Sequence, residues 1–551
     1  MKRIILLIVL LTIKIQAQEV SFENDKIILS LKTGIVSPVS NLSELNELKF
    51  LYQNYPVKEV KPLNIVETNI LNGRPLVVIF ESPVEIEFLI KKLKATNLFD
   101  YVEFDFIAHG SSFEKNNSKL PIQKLAPVAT TPNDQYFFRQ WGLHNNGSFS
   151  LSPSNVDADV DMIEAWDITT GNQNIVMAVI DSGINMNHPE FSNRFFTNTN
   201  EQNNGFDDDN NNYVDDINGW DFVNNDNSPI DDHGHGTNVT GIAMANGNNN
   251  IGYAGVDWNC KLLPLKVLNQ NNSGSNSNII ASIYYAINRG VDVISISIGG
   301  SGYSVAYENV INDAYNQNIP IIACMMNFNN NVSYYPAAFN STIAVGSTNP
   351  DDSRSAPFFW SDTSGSNFGN HIDIVAPGNY MYGLSYNSNT SYGSYWGGTS
   401  QATPLVAGIV SLMLSISPNL SVDAIQLILR NTAQDQVGNP LEDILGWDQY
   451  FGSGRVNAFN ALSYLQNLSN NNINLNMGTL LYPNPTKDTL YINTSIISDA
   501  ITVAIFDITG RHIKTFKNVT NNIDVSELKN GIYIANIVSK DTSYSNKFIK
   551  K

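Results

Sequence analysis

Cysteine is nearly absent from this chain, with two in 551 residues. A disulfide framework of the kind that staples small secreted folds is therefore excluded. Cys260 and Cys324 each sit inside an apolar run, where two buried free thiols are favoured over a single disulfide. Basic residues are also scarce, 32 Lys and Arg against 51 Asp and Glu, for a net charge of −19. Binding to nucleic-acid phosphates needs a basic face, so DNA and RNA are excluded as partners. After the N-terminus no apolar run reaches the roughly 20 residues of a bilayer-spanning helix, so no transmembrane segment is expected in the mature chain. What is present is 42 % hydrophobic residues, ample for a core. The length suggests about three to four folding units.

Residues 1–17 carry a basic start (Met1-Lys2-Arg3), an apolar run (Ile4 to Ile13) and a small residue, Ala17, and read as a signal peptide of a secreted protein. Residues 18–125 form a small α+β region with Val77-Val78-Ile79-Phe80 and Tyr101-Val102-Glu103-Phe104 as strands. From 126 to 466, runs such as Ile175 to Ile180, Leu262 to Leu268, Val291 to Ile298, Ile319 to Met326 and Ile343 to Gly346 are apolar on consecutive positions. Strands buried on both faces of a parallel sheet have that pattern. Helical stretches between them, Asn278 to Asn288 and Val305 to Asn316, predict a three-layer α/β domain whose chemistry lies at the C-terminal strand ends. An Asn-rich linker, 467–477, leads to residues 478–551, where short strands and turn signals (Asp507 to Gly510, Lys529 to Gly531) predict a β-sandwich.

Three residues stand out within the α/β region. Asp181 ends the run Ile175 to Ile180 and precedes Ser182-Gly183, a common arrangement that is weak evidence alone. His235 opens the helix-like stretch Thr237 to Ala245, where the helix dipole disfavours the cation and suits a neutral general base; His233 competes with it. Ser400 lies in Gly397-Gly398-Thr399-Ser400-Gln401-Ala402-Thr403-Pro404, before the apolar stretch Leu405 to Leu414. Small residues there admit a substrate backbone, and a helix N-terminus favours developing negative charge. Alone, any one serine reads as a surface hydroxyl.

Together, the order Asp, His, Ser with a GTSxAxP segment resembles the subtilase (subtilisin-like) serine proteases over about residues 126–466. The markers are Asp181-Ser182-Gly183, His235-Gly236-Thr237, Ser297-Ile298-Gly299-Gly300, Ala376-Pro377-Gly378 and the Ser400 segment. Gly219-Trp220-Asp221-Phe222 before His235 resembles the calcium-rich, thermitase-like branch. The resemblance implies an Asp181-His235-Ser400 triad working through an acyl-enzyme. It implies that Asn327, after the strand Pro320 to Met326, serves as an oxyanion donor together with the Ser400 backbone N–H. Two residues depart from the family pattern: Met326 stands where glycine is usual, and Gln401 replaces a common methionine. The strand Val293 to Ile298, with Ser297, Ile298 and Gly299, is expected to be an edge to which an extended polypeptide substrate adds, with Met326 near the same subsites.

Calcium is the expected cofactor, in a structural role. Asp207, Asp209 and Asn211 alternate in the acidic stretch 205–216 and are followed by Asp215 and Asp216, a calcium-loop spacing with Asn212 where glycine usually turns. The resemblance alone adds Asp134, Glu190 and Asn249 as one site, and Asp221 with Asp226 as another. It also implies that residues 18–125 are a pro-region, a folding template and intramolecular inhibitor. Pro483-Asn484-Pro485, Asp507 with Gly510-Arg511, Gly531-Ile532-Tyr533 and Lys547 resemble a type IX secretion sorting domain, which implies that machinery as a partner and export through a bacterial outer membrane. The sequence thus reads as a secreted serine endopeptidase, the alternative being an inactive subtilase fold that binds at the cell surface.

Overall fold

Toward the N-terminus an antiparallel sheet forms from β1 (Phe22–Leu31), β2 (Val57–Pro62), β3 (Leu76–Phe80) and β4 (Phe99–His109), in the order β2-β3-β1-β4, with Ile27 to Leu31 of β1 buried at consecutive positions. Helix α1 (Lys49–Asn54) precedes β2. In α2 (Ile86–Lys94), Ile86, Leu89, Ile90 and Leu93 are the buried residues, an i, i+3, i+4, i+7 stripe that packs on β1 and β4. This layer keeps its own core around Ile27, Leu29, Val78, Phe80 and Val102. The computed structural model describes residues 20–34, 38–64, 70–116, 131–470, 481–482, 486–492, 501–507, 511–538 and 543–551. The signal-peptide expectation at 1–17, residues 471–477 of the linker, and the motif residues Pro483-Asn484-Pro485 and Gly510 lie outside them. Two compact units divide the chain, Met1–Gln466 and Asn467–Lys551.

After the short β5 (Phe113–Asn116) and α3 (Met162–Trp166), seven strands make a second sheet. They are β6 (Val176–Asp181), β7 (Trp220–Asp221), β8 (Lys261–Lys266), β10 (Val293–Ile296), β11 (Ile321–Cys324), β12 (Ile343–Thr348) and β13 (Ile374–Pro377), with β9 (Ser273–Ser275) outside it. The order is β13-β12-β11-β10-β6-β8-β7, and every pairing is parallel. Helices α5 (Asn276–Asn288) and α6 (Val305–Asn316) pack together on one face, burying Ala178, Ile180, Ile294 and Ile296 with Ile280, Ile283, Val310 and Ile311. Helices α4 (His235–Met244) and α7 (Thr399–Ile416) pack on each other, with α7 lying against β10 to β13. Strand side chains alternate between faces, which is why the runs are apolar at consecutive positions. Helix α7 is long and apolar enough to cross a membrane, but 89 % of that stretch is buried inside the unit, as a core helix should be. Both cysteines are free and buried.

One expectation is corrected. Strand β10 is not an edge: it lies between β11 and β6, and only the residues after it leave the sheet. Consecutive apolar residues mark a central strand, and the available backbone groups begin where the sheet pairing ends. The unit is completed by β14 (Met381–Tyr382), β15 (Ser394–Gly397), α8 (Val422–Thr432) and α9 (Ala458–Asn470); β14 and β15 form a small sheet with β5.

In the second unit, β16 (Leu481–Tyr482), β17 (Thr489–Ile492) and β20 (Asn522–Asp524) form one antiparallel sheet. The other contains β18 (Ile501–Asp507), β19 (His512–Val519), β21 (Gly531–Val538) and β22 (Ser543–Lys550). Both contribute to one core, with Leu490, Ile492, Val503, Ile505, Ala535, Ile537 and Phe548, as a β-sandwich does.

Candidate active site

Three neighbouring parallel strands deliver their C-terminal ends to one place. Asp181 ends β6, Ser297 follows β10, and Asn327 follows β11. His235 and Ser400 come from the first turns of α4 and α7. His235 Nδ1 is 2.7 Å from Asp181 Oδ1, with both residues buried. A carboxylate can only accept, so Nδ1 donates to it; Nε2 has no hydrogen-bond partner among the described residues. His233, the rival, has its ring 6.4 Å from that of His235, and no hydrogen bond joins it to Asp181. Burial and the neighbouring His235 lower its pKa.

The sequence reading missed Asp231, which sets the His235 loop. Its buried carboxylate accepts from Ser182 Oγ at 2.8 Å, Gly234 N at 2.8 Å, Thr237 N at 2.9 Å and Thr237 Oγ1 at 2.6 Å. Ser182 Oγ in turn accepts from Gly236 N at 2.8 Å. The turn after β6 is thereby bound to the start of α4. Only glycine fits at 236, because a Cβ there would stand 2.1 Å from the Gly183 carbonyl oxygen. An acid a few residues ahead of a helix is a legible capping signal.

Pro404 explains part of the serine segment. As the sixth residue of α7 it lacks the N–H that would bond the Ser400 carbonyl. That carbonyl accepts instead from Ser297 Oγ at 2.9 Å, while Ser400 Oγ donates to the Ser297 carbonyl at 3.2 Å. The pair ties the residues after β10 to the start of α7. The Ser400 N–H belongs to the first turn and has no intrahelical acceptor. Asn327 is 2 % exposed, and its Oδ1 accepts from Thr399 N at 2.8 Å and Thr399 Oγ1 at 3.0 Å. A backbone N–H can only donate, so the amide oxygen must face Thr399 and Nδ2 must face the cleft. There Nδ2 donates to Ser111 Oγ at 2.7 Å.

Ser111 belongs to the N-terminal layer, which grips the larger sheet with two acids that the sequence reading did not single out as anchors. Glu103 and Asp105 lie two apart on β4 and so share a face. Glu103 caps α6 through Ser304 Oγ at 2.6 Å, Val305 N at 2.9 Å and Ala306 N at 3.1 Å. Asp105 caps α5 through Ser277 N at 2.8 Å and Ser277 Oγ at 2.6 Å. Burial pushes both carboxyls up, Asp105 to about 6.

The metal candidates divide into three groups. Asp134 and Glu190 are buried together: Asp134 takes Asn248 N at 2.6 Å on Oδ2, and its Oδ1 has no partner among the described residues. Glu190 takes Asn249 Nδ2 at 2.7 Å. Burial raises both acids, Asp134 to about 6 and Glu190 to about 8, the latter also through repulsion by Asp134. An orphaned oxygen between two repelling carboxyls fits a hard cation. In the acidic stretch Asn212 takes φ +66°, the left-handed turn that asparagine tolerates. Here Asp209 and Asp216 converge with Glu201, which the sequence reading omitted. Arg289 already binds Asp209 at 2.8 Å and Asp216 at 2.7 Å, while Asp209 Oδ1 is unpartnered. Asp207 instead accepts from its own loop, Asn211 N at 3.0 Å and Asn212 N at 2.7 Å, and Asn211 bonds Asp216 at 3.0 Å. Asp221 is occupied by Val223 N, Asn224 N and Asn224 Nδ2, and Asp226 by Ser228 N.

Comparison with known proteins supplies the class. The subtilase family (Peptidase_S8) model matches residues 172–454, and a secretion system C-terminal sorting domain matches residues 480–551. The chain is 33 % identical over 335 residues to thermitase of Thermoactinomyces vulgaris, covering 61 % of this chain and 100 % of that protein. It is 31 % identical over 379 residues to the thermophilic serine proteinase of Bacillus sp. (strain AK1), covering 69 % of this chain and 76 % of that one. These matches make the protein a serine endopeptidase. It belongs to the subtilase family, and its sorting domain directs type IX export to the cell surface or beyond.

Proposed function

We propose that Ser400 is the nucleophile of an Asp181-His235-Ser400 triad that hydrolyses extended polypeptides. Ser400 Oγ attacks the scissile carbonyl while His235 Nε2 takes its proton and passes it to the leaving amine. Asp181 holds the tautomer and stabilises the imidazolium, and water then releases the acyl group from Ser400. Asn327 Nδ2 and the Ser400 N–H receive the oxyanion. The residues Ser297, Ile298 and Gly299 offer backbone groups to the substrate, and Met326 borders the same cleft. The reading is carried by the 2.7 Å Asp181–His235 pair, with Nε2 left without a hydrogen-bond partner among the described residues. To test it, processed protein is treated with a serine-directed fluorophosphonate and the adduct located by mass spectrometry. An adduct on Ser400 that is absent in Ser400→Ala is expected; an unlabelled, correctly processed wild type would refute the reading and favour an inactive binding module.

The proposal extends to organisation. Residues 1–17 serve as the signal peptide, 18–125 as pro-region, 126–466 as the peptidase, 467–477 as linker and 478–551 as the sorting domain. The pro-region acts as template and inhibitor, a role supported by the Glu103 and Asp105 caps. Calcium would be held by Asp134, Glu190 and Asn249, and at a second place by Asp209 and Asp216 with Glu201. Its charge offsets carboxylate repulsion and stabilises the fold.

A further inference from the structure

The segment Ile107 to Asn116 crosses the site as an extended peptide, and backbone pairing fixes its register on both sides of Ser400. Upstream, Ile107, Ala108 and His109 pair with Ser275, Gly274 and Ser273 of β9. His109 also exchanges both backbone bonds with Gly299, N to O at 3.0 Å and O to N at 3.1 Å. Downstream, Phe113 to Asn116 pair antiparallel with Gly397 to Ser394 of β15, and the Phe113 ring packs on Trp360 at 4.6 Å. Only Gly110, Ser111 and Ser112 remain to pass the start of α7. Ser111 Oγ is held by Asn327 Nδ2 at 2.7 Å, and Ser112 Oγ accepts from Gln401 Nε2 at 3.2 Å. The bond joining these two serines therefore lies between the Asn327 amide and the first turn of α7.

The space beside the Ser111 side chain is filled. Met326 Sδ is 3.8 Å from Ser111 Oγ and 3.7 Å from Cys324 Sγ. A Cβ built on Gly299 would meet that sulfur at 2.6 Å, and Met326 is fully buried with Cys324 and Tyr334. Its φ is +72°, a left-handed backbone that suits glycine, yet a long side chain occupies it. A serine fits against the thioether, whereas a leucine or phenylalanine would have to displace it.

We infer that Ser111–Ser112 is the bond at which the chain processes itself, and that Met326 restricts the residue before any cut to a small side chain. The inference rests on the triad reading above and deepens it. Ser400 Oγ bonds the Ser111 carbonyl carbon, the bond to Ser112 N breaks, and the Ser400 proton passes through His235 to the new amine of Ser112. Water then hydrolyses the ester, giving the Ser111 carboxylate and free Ser400. Residues 107–111 stay paired with β9 and Gly299 as a bound product.

The test uses the full chain. Mass spectrometry of the processed protein should find Ser112 as the new N-terminus, and Ser400→Ala should remain uncut. On peptides differing only before the scissile bond, Ala or Ser should exceed Phe by more than about tenfold in kcat/KM. Met326→Gly should shrink or reverse that ratio by about tenfold, with Met326→Ala in between. A different processing site, a cut at Ser112 in Ser400→Ala, a wild type that accepts Phe as well as Ala, or a ratio unmoved in both variants would overturn the inference. The triad reading fails separately, by absence of both the fluorophosphonate adduct and any peptide cleavage.

Discussion

Asn327 permits a sharp test, because its two amide ends do different jobs. Oδ1 is tied to Thr399 N at 2.8 Å and Thr399 Oγ1 at 3.0 Å, while Nδ2 faces the cleft. Asn327→Ala removes the cleft donor, and loss of such a bond to a developing oxyanion raises the barrier by about 3 kcal/mol, or about 10² to 10³ in kcat. The substrate carbonyl is neutral before attack, so KM should change by less than about threefold. The same variant strands the Thr399 N–H, which lowers stability by about 1 kcal/mol. Asn327→Asp separates the two effects. One carboxylate oxygen still accepts from Thr399, so the anchor persists, while the other meets the developing negative charge. Its kcat should fall further than that of Asn327→Ala, with melting closer to wild type. The assay is hydrolysis of a chromogenic peptide, with kcat and KM measured separately beside thermal melts. A folded Asn327→Ala protein with kcat within about threefold of wild type would refute the oxyanion role.

On the proposed pro-region role, Asp105 links docking to pH. Its carboxyl rises to about 6 when buried against α5, from about 3.8 when free, so docking takes up protons. Affinity of the pro-region for the mature enzyme should therefore be highest at low pH and weaken by up to about a hundredfold toward pH 6, then level off. Asp105→Asn should make that profile of inhibition constants shallower, leaving the part that Glu103, also raised, contributes; an unchanged slope would contradict the linkage. Removing calcium with EDTA should lower the melting temperature, since occupancy at 100 times the dissociation constant adds about 2.7 kcal/mol per site. Identical melts with and without EDTA would refute this. In calcium-free protein, Arg289→Leu leaves the buried Asp216 without a cation and should destabilise the unit by about 3 kcal/mol, as read by denaturant midpoint; a loss below about 1 kcal/mol would mean the pair is not needed.

Much of the architecture was legible because it rests on local periodicity. Runs apolar at every position, Ile175 to Ile180 or Ile343 to Gly346, can be satisfied only by burial on both faces, which a parallel sheet under helices provides. Helix α6 runs from Val305 to Asn316, the bounds its pattern predicted, with Ser304 as its cap. Strand order leaves no such local trace, and so β10 was expected at an edge while it lies at the centre. The candidate site was legible where its residues sit at strand ends and helix starts, as Asp181, His235 and Ser400 do. It was not legible where a side chain answers to a distant one: Asp231 to Ser182, Arg289 to Asp216, or Glu103 to the first turn of α6.

The sequence by itself determined the element types, the order of the chemistry-bearing residues and the small residues around them, since these depend on neighbours along the chain. Only the tertiary structure decided which oxygens stay unpartnered, which acid is answered by an arginine, and what fills the space beside Asn327. Met326 shows the difference. In sequence it is a departure from glycine near the substrate subsites, with no readable preference for one residue over another. In the fold its sulfur lies between Gly299, Cys324 and Ser111, residues up to 215 positions away. Packing at that range is fixed by how sheets and helices close on one another, and no local pattern in the chain encodes it.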